Sequence, residues 1–493
     1  MTPSKRSKPS NERSWQPHLY QRRGVKFLLE HAAAGLLLDP GMGKTSITLA
    51  AFKILKQKRI ANKALVIAPL RPCHKVWPAE LAKWSDFEGL SCVVLHGKDK
   101  DQLLKQDADL YVVNYEGLDW LLQTDKTKGL SGKTKVAVDK RRFKALGFDT
   151  LICDELSMLK HTTSNRYKAM KEIADTFQRR WGLTGTPAAN GLMGLFGQCY
   201  VLDQGRTFGQ YITHYRLKYF NLGRDGFTWT LKEGAEKLIY QQLKPLMLRM
   251  AADDYLDLPQ LRFNHIKVEL PPAAKKIYQE LSKDLITKLD SGTVTAANAA
   301  VASGKLRQVA NGALYLDKDT TELFKDVDPK KQWVELHTAK LDALDELIDE
   351  LQGQQLMVVY DFQHDLERLQ IRHKNLPFIG GGVSTARSNE LQDQWNSGEL
   401  PVLYVHPQAV AYGLNLQGSS ARHMVIFSPM WNYELFLQLI YRLRRQGSQA
   451  DWINIHQLIC EDTVDEDILV SQSMKDHTQQ ALFAALKARL RRK

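Results

Sequence analysis

The sequence predicts an α/β protein of two domains, each a parallel sheet flanked by helices, with a mostly helical insertion between them. Three observations lead there. Short apolar, β-branched runs alternate with helical patterns, and they do so in two separate series; such alternation belongs to parallel sheets covered on both faces. The 493 residues exceed what one hydrophobic core normally holds. Between the series, over residues 205 to 340, the apolar spacing changes to a helical period.

Taken in order, residues 1–14 (MTPSKRSKPSNERS) are polar and basic, with no apolar run behind them. They read as a disordered arm rather than a secretory leader. AGLLLD, ALVIAPL, SCVVLHG, ADLYVVNY, DTLICDE and RWGLTGTP then read as buried strands, each followed by a polar turn. AAKKIYQELSKDLITKLDSG and AANAAVASGKLRQVANGALY have helical spacing. The second series is QLMVVYDF, LPFIGG, LPVLYVHP, RHMVIFSP and WINIHQLI. The expected limits are 15–250 for the first domain, 251–339 for the insertion and 340–475 for the second domain. Residues 476–493 are expected to form a basic C-terminal helix, whose cations suit the negative end of its dipole.

Composition narrows the partners. Lys and Arg exceed Asp and Glu by 13, which favours a polyanion, nucleic acid before membrane. No apolar stretch is long enough to span a bilayer. The cysteines, Cys73, Cys92, Cys153, Cys199 and Cys460, form no C-x-x-C pair. That argues against a zinc ribbon or a disulfide framework and fits a reducing cytoplasm.

Four stretches carry chemistry. In LLLDPGMGKTSITLA an apolar run breaks at Pro40-Gly41-Met42-Gly43-Lys44-Thr45-Ser46 and resumes as a helix. Gly41 and Gly43 permit a tight turn with N–H groups facing a phosphate. Lys44 can reach the β- and γ-phosphates of ATP, and the Thr45 hydroxyl can ligate Mg²⁺. The strict P-loop pattern has a glycine where Leu38 stands. In DTLICDELSMLK, Asp154 and Glu155 end a buried strand, where unpartnered carboxylates are costly. Asp154 would hold Mg²⁺ and Glu155 would polarise the attacking water. RWGLTGTPAANGL ends a strand in Thr184-Gly185-Thr186-Pro187, whose small hydroxyls could link the γ-phosphate site to neighbouring surfaces; by itself it reads as a simple turn. In WNYELFLQLIYRLRRQGS, Gln438, Arg442 and Arg445 are spaced to share one helical face. An arginine delivered from a second domain to a γ-phosphate gives a rate effect of about three to five orders of magnitude.

The order of these pieces resembles the Swi/Snf family of superfamily-two helicase-like ATPases, over residues 15 to 475, and most of all its compact bacteriophage members. WQPHLYQRRGVKFLLEHAAAGLLLDPGMGKT is similar to the family's opening, in which Gln21 would read the adenine. ALVIAPLRPCHKVWPAELAKW resembles motif Ia, and DLYVVNYEGL the next DNA-facing motif. DELSMLK and LTGTPAANGLMGLFGQCYVLD stand for motifs II and III. KLRQVANG resembles the helix before the second lobe. MVVYDF, YGLNLQGSSARHMVIFSPMWN and QLIYRLRRQGS resemble motifs IV, V and VI. The resemblance implies two tandem RecA-like lobes and an ATPase that moves on double-stranded or forked DNA. It implies roles for Gly413 and Gln438 at the nucleotide. It also implies DNA contacts at Arg71, His74, Lys75, Asn114, Thr186, Asn190, Asn415 and Trp431. Three departures stand out: Ser157 replaces the usual motif II histidine, HPQAVAYGLNLQ is atypical for motif V, and Arg444 stands where a histidine is common.

The basic stretch TDKTKGLSGKTKVAVDKRRFK, which includes Lys140, Arg141 and Arg142, is a further candidate for DNA contact. Trp77 and Trp84 read as core, and Trp395 and Trp431 likewise read as structural, although Trp431-Asn432 lies in a family motif. The leading expectation is a minimal, monomeric, DNA-dependent translocase of the host cytoplasm, with a phage replication or nuclease partner. A strand-separating helicase and a nucleotide-gated DNA clamp are the alternatives. No histone-reading module or nuclease constellation is visible in the chain.

Overall fold

A computed structural model describes residues 13–128, 134–185, 191–223, 229–290, 296–316, 332–410 and 413–473. The helix expected over 476–493 and most of the basic arm lie outside the described residues. The end of that arm is held in place. Ser14 Oγ and the Trp15 N–H donate to Asp86, and the Ser85 N–H donates to the Arg13 carbonyl. Two compact units divide the chain, the first closing at Leu256 and the second opening at Asp257.

In the first unit the strands are β1 (Ala33–Leu38), β2 (Ala64–Ala68), β3 (Cys92–Val94), β4 (Leu110–Asn114), β5 (Asp125–Lys128), β6 (Thr134–Ala137), β7 (Thr150–Asp154), β8 (Arg179–Thr184), β9 (Phe220–Leu222), β10 (Trp229–Leu231) and β11 (Met247–Met250). Seven of them form one sheet in the order β11-β1-β8-β7-β2-β4-β3, with every pairing parallel. Parallel strands need crossovers, and helices such as Lys44–Gln57 and Asn165–Ile173 supply them. Because both faces are covered, β2 and most of β7 are apolar throughout and fully buried. All the strands run the same way, so β1, β2, β4, β7 and β8 release their chains at one edge. In open α/β sheets that edge is where ligands bind.

The basic stretch after residue 124 is not an open loop. β5 and β6 pair as an antiparallel hairpin, and Lys140–Ala145 is a helix capped by Asp139. Val136 and Phe143 are the apolar anchors that fix it to the core.

The second unit contains β12 (Gln260–Val268), β13 (Ala313–Tyr315), β14 (Trp333–Glu335), β15 (Leu356–Val359), β16 (Phe378–Ile379), β17 (Val402–Val405), β18 (His423–Ile426) and β19 (Trp452–Cys460). Its six-stranded sheet has the order β12-β19-β18-β15-β17-β16, again all parallel. Both units therefore have the α/β architecture that the two strand series imply. The segment expected as a helical insertion over 251–339 differs from that expectation. β12 lies inside it and is the edge strand of the second sheet, paired along its length with β19. Its side chains are mostly exposed, so it lacks the apolar run that marks the other strands. Helices Pro272–Asp290 and Ala296–Asn311 do form, and pack through Tyr278, Leu306 and Val309 against Val464 of the same unit.

A buried polar network ties these helices to the second sheet. Lys340 and Asp465 form a fully buried ion pair at 2.7 Å. The same ammonium donates to Asn311 Oδ1 and the Phe427 carbonyl, while Asn311 Nδ2 donates to buried Asp365. Arg368 donates to the Asn311 and His337 carbonyls and to Glu335.

Candidate active site

The turn between β1 and the helix Lys44–Gln57 holds the residues expected to cradle phosphate. Gly41 and Gly43 have φ of 90° and 77°, in the left-handed region where glycine carries no Cβ penalty. A Cβ on Gly43 would also lie 2.5 Å from the Gln21 amide nitrogen. That buried amide donates to the Met42 carbonyl at 3.3 Å and accepts from the His18 N–H at 2.9 Å. Gln21, expected to read a base, therefore also braces the turn. Lys44 Nζ donates to the carbonyls of Leu38 and Asp39 at 2.7 and 3.3 Å, which holds the ammonium at the strand end. Thr45 and Ser46 occupy the first helical turn, whose unpaired N–H groups and dipole favour an anion. The Ser46 hydroxyl is committed to Glu80, so its backbone N–H is the group left for a phosphate. Pro40 packs against Gly185, where a Cβ would meet its ring at 3.0 Å.

Two strands away, β7 delivers Asp154 and Glu155. Glu155 adopts φ 56°, a left-handed conformation that is unusual for a non-glycine residue and concentrates at functional sites. Four groups hold the pair. The Tyr115 hydroxyl, at the end of β4, donates to the carbonyls of Asp154 and Glu155 at 2.9 and 3.3 Å. Ser157 Oγ and Thr184 Oγ1 both donate to Glu155 Oε1, at 2.9 and 3.2 Å. Trp77 Nε1 donates to Asp154 Oδ2 at 3.0 Å. Burial pushes the Asp154 carboxyl above its ordinary range, against the opposing pull of the Trp77 N–H and of Lys44. Such an under-compensated carboxylate suits a cation. One carboxylate and one hydroxyl, completed by phosphate oxygens, is the set Mg²⁺ takes in nucleotide sites instead of an all-protein cage. Among the described residues no cluster of three His, Cys, Asp or Glu side chains forms such a cage. Asp154 has the chemistry for that ion, and Thr45, in the first turn of the helix Lys44–Gln57, is the hydroxyl expected to complete the pair.

Sequence reasoning missed three of these contacts, among them that of Tyr115, a residue it did not single out. The TGTP stretch read as a simple turn, yet its Thr184 orients Glu155. Trp77 read as core, and it is 1 % exposed, but its indole N–H donates to the Asp154 carboxylate. The available signal was chemical: a buried indole N–H needs an acceptor.

In the second unit Gly413 has φ 93°, in keeping with a turn at motif V. The helix Tyr433–Leu443 carries Gln438 and Arg442 on one buried face. It ends before Arg445, so the expected three-residue face is a two-residue face followed by a cap. Arg444 adopts the non-helical conformation and donates to the Pro259 carbonyl. Arg442 donates to the Leu414 carbonyl at 2.8 Å, and Arg445 to Asn415 Oδ1 at 2.6 Å. Motifs V and VI are thus bonded to each other at two successive residues. Gln438 Oε1 is buried, with no hydrogen-bond partner among the described residues.

The residues expected at DNA divide into three groups. His74 and Lys75 are exposed on a single π-helical turn, Pro72–Val76, with the His74 ring edge-on to His96 at 4.4 Å. Arg71 is half-buried at the start of that turn, and Asn114 ends β4 beside Glu116. These four stand on the same sheet edge as the phosphate turn. Lys140 pairs with Asp175 and Arg142 donates to the Leu121 carbonyl, so both have structural work, while Arg141 is exposed. Asn415 is exposed and bonded as described. The half-buried Trp431 donates its indole N–H to Ser303 Oγ and packs beside the helical pair. Thr186 and Asn190 lie outside the described residues. All five cysteines are free, and among the described residues no helix is long and apolar enough to cross a membrane.

Known proteins are similar to this chain. The SNF2-related domain matches residues 20–320, and the helicase conserved C-terminal domain matches residues 339–447. Protein p41 of Acyrthosiphon pisum secondary endosymbiont phage 1 is 32% identical, spanning 96% of this chain and 99% of that one. The CHD3-type chromatin-remodeling factor PICKLE of Arabidopsis thaliana is 24% identical across 92% of this chain, which covers 33% of PICKLE. Among solved structures, the Sulfolobus solfataricus SWI2/SNF2 ATPase core in complex with dsDNA is 21% identical. It covers 97% of this chain and 96% of its own, with a TM-score of 0.43.

Proposed function

The chain belongs to the SNF2-related family of helicase-like ATPases, and from that membership we propose that it hydrolyses ATP in response to duplex DNA and moves along it. The observation that carries this reading is the common sheet edge. The phosphate turn, the Asp154–Glu155 pair and the exposed cations of the Pro72–Val76 turn all leave one parallel sheet on the same side. A nucleotide and a polyanion held there would share the elements between them.

In this reading the turn 39–43 and the helix N–H groups bind the phosphates of ATP, and Lys44 neutralises the β,γ charge. Mg²⁺, held by Asp154 and Thr45, would supply Lewis-acid polarisation of the phosphoryl oxygens. Glu155, aimed by Ser157 and Thr184, accepts a proton from the attacking water. Arg442 and Arg445 are the residues of the second unit proposed to stabilise charge on the transferring group. Contacts to backbone phosphates carry no sequence information, which suits a motor that must bind anywhere. A role in phage DNA replication or recombination is part of this proposal; the likeness to a phage protein along 96% of this chain supports its phage half alone.

Triplex displacement tests the proposal. A third strand bound on a duplex should be released in the presence of ATP, while the duplex strands stay annealed. Separation of the duplex strands would favour a helicase, and ATP-dependent retention without release a DNA clamp.

A further inference from the structure

Motif II receives a hydrogen bond from each of three neighbouring strand ends. β2 leads into the Pro72–Val76 turn and then Trp77, whose indole reaches Asp154. β4 ends at Asn114, and the next residue, Tyr115, reaches the Asp154 and Glu155 carbonyls. β8 ends at Thr184, which reaches Glu155. The residues proposed to meet DNA sit one to three positions from these donors: His74 and Lys75 before Trp77, and Asn114 before Tyr115.

The link through Trp77 is short and stiff. Its backbone N–H closes the π turn by donating to the Pro72 carbonyl, so the turn and the indole share one residue. π-type turns are rare, single-turn departures from the α-helix, frequent at functional sites, and returning to α geometry shifts the residues that follow. The indole is 1 % exposed and cannot turn independently of its backbone. Any change of the turn on binding a phosphate at His74 or Lys75 therefore displaces the donor on Asp154. Tyr115 is likewise buried, and its hydroxyl spans the two carbonyls that flank the left-handed Glu155 peptide.

We propose that Trp77 is a positioning residue that couples duplex DNA at the Pro72–Val76 turn to the Asp154 carboxylate, with Tyr115 doing the same from the Asn114 turn to the backbone of Glu155. The inference rests on the DNA-stimulated ATPase reading, but its first half, the positioning of Asp154, does not require DNA.

The test uses the full chain with Y115F, which keeps the ring and removes only the donor, and W77F, which keeps an aromatic ring but removes the indole N–H together with part of the indole's buried volume. W120F, whose indole donates to Asp101 instead, is the control. The first readout is the affinity for a fluorescent ADP titrated with Mg²⁺ from an EDTA baseline. The second is the ratio of duplex-stimulated to duplex-free ATP hydrolysis, with duplex affinity measured alongside. A lost hydrogen bond to a charged group corresponds to about tenfold or more. W77F should need about tenfold more Mg²⁺ to tighten ADP, with its metal-free affinity unchanged. In W77F and Y115F the stimulation ratio should fall several-fold with duplex affinity kept, while W120F should match the wild type. An unchanged Mg²⁺ dependence in folded W77F overturns the positioning. An unchanged ratio in Y115F and W77F overturns the coupling, and Y115F decides it alone should W77F fail to fold. A wild type that no duplex stimulates overturns the functional reading and the coupling together, while the Mg²⁺ titration still decides the positioning.

Discussion

Ser157 and Thr184 donate to the same oxygen of Glu155, so the side chain is aimed before any substrate arrives. Removing the carboxylate while keeping its shape should abolish turnover: Glu155→Gln is expected to lower kcat by about 10²- to 10⁴-fold, with fluorescent ADP affinity retained. Thr184→Val should lower kcat by about tenfold with KM little changed, because one of two orienting bonds is lost; steady-state kinetics checks both. At this scale the sequence spoke clearly where residue type and spacing are themselves the chemistry. Gly41, Gly43, Lys44 and the Asp154–Glu155 pair stand out in the sequence because the turn proposed for phosphate and the carboxylate proposed for Mg²⁺ admit few other residues. Trp77, Tyr115 and Thr184 were not, because a tryptophan, tyrosine or threonine in an apolar run satisfies core packing equally well. Only the fold reveals which acceptor each one finds.

Lys340 and Asp465 come from helices far apart in sequence, and Asn311 joins them from the helix before β13. Breaking such a buried pair from one side leaves an uncompensated charge and costs about 3–5 kcal/mol. Lys340→Met should therefore lower the denaturant midpoint of the second unit sharply, as urea unfolding of the full chain would record. The second unit also carries neutral buried histidines. Burial, with the neighbouring His423, holds His456 down at about 4, and burial holds His337 at about 4. Their ordinary value is about 6.5. The unfolded chain thus binds more protons between those values, so stability is complete above pH of about 6.5 and is lost as pH falls towards 4. Each imidazole contributes a slope of at most about 1.4 kcal/mol per pH unit. His456→Gln should flatten the dependence of unfolding free energy on pH between 6.5 and 4.5. None of this network could be read along the chain, since its members sit in helical patterns that look like ordinary solvated faces. β12 escaped for the converse reason: an exposed edge strand need not be apolar, and Gln260–Val268 is held by its ladder to β19.

At the scale of the whole molecule, two all-parallel sheets are what the repeated alternation of apolar runs and helical patterns requires. Each unit brings its own part: the phosphate turn and carboxylates in the first, the bonded Leu414–Arg442 and Asn415–Arg445 contacts in the second. In the proposed reading the arginines of the second unit stabilise charge on the transferring phosphoryl group. Arg445→Ala should therefore reduce ATP turnover by about 10³-fold or more without loosening ADP binding to the first unit, and comparison of kcat with ADP affinity checks it. The most direct test of the account is steady-state ATP hydrolysis by the wild type without nucleic acid, and with single-stranded DNA, duplex, forked DNA or RNA. Glu155→Gln serves as the control. The account predicts that duplex or forked DNA raises the rate several-fold, and that the rise vanishes in the variant. A rate that no duplex or fork changes would contradict it.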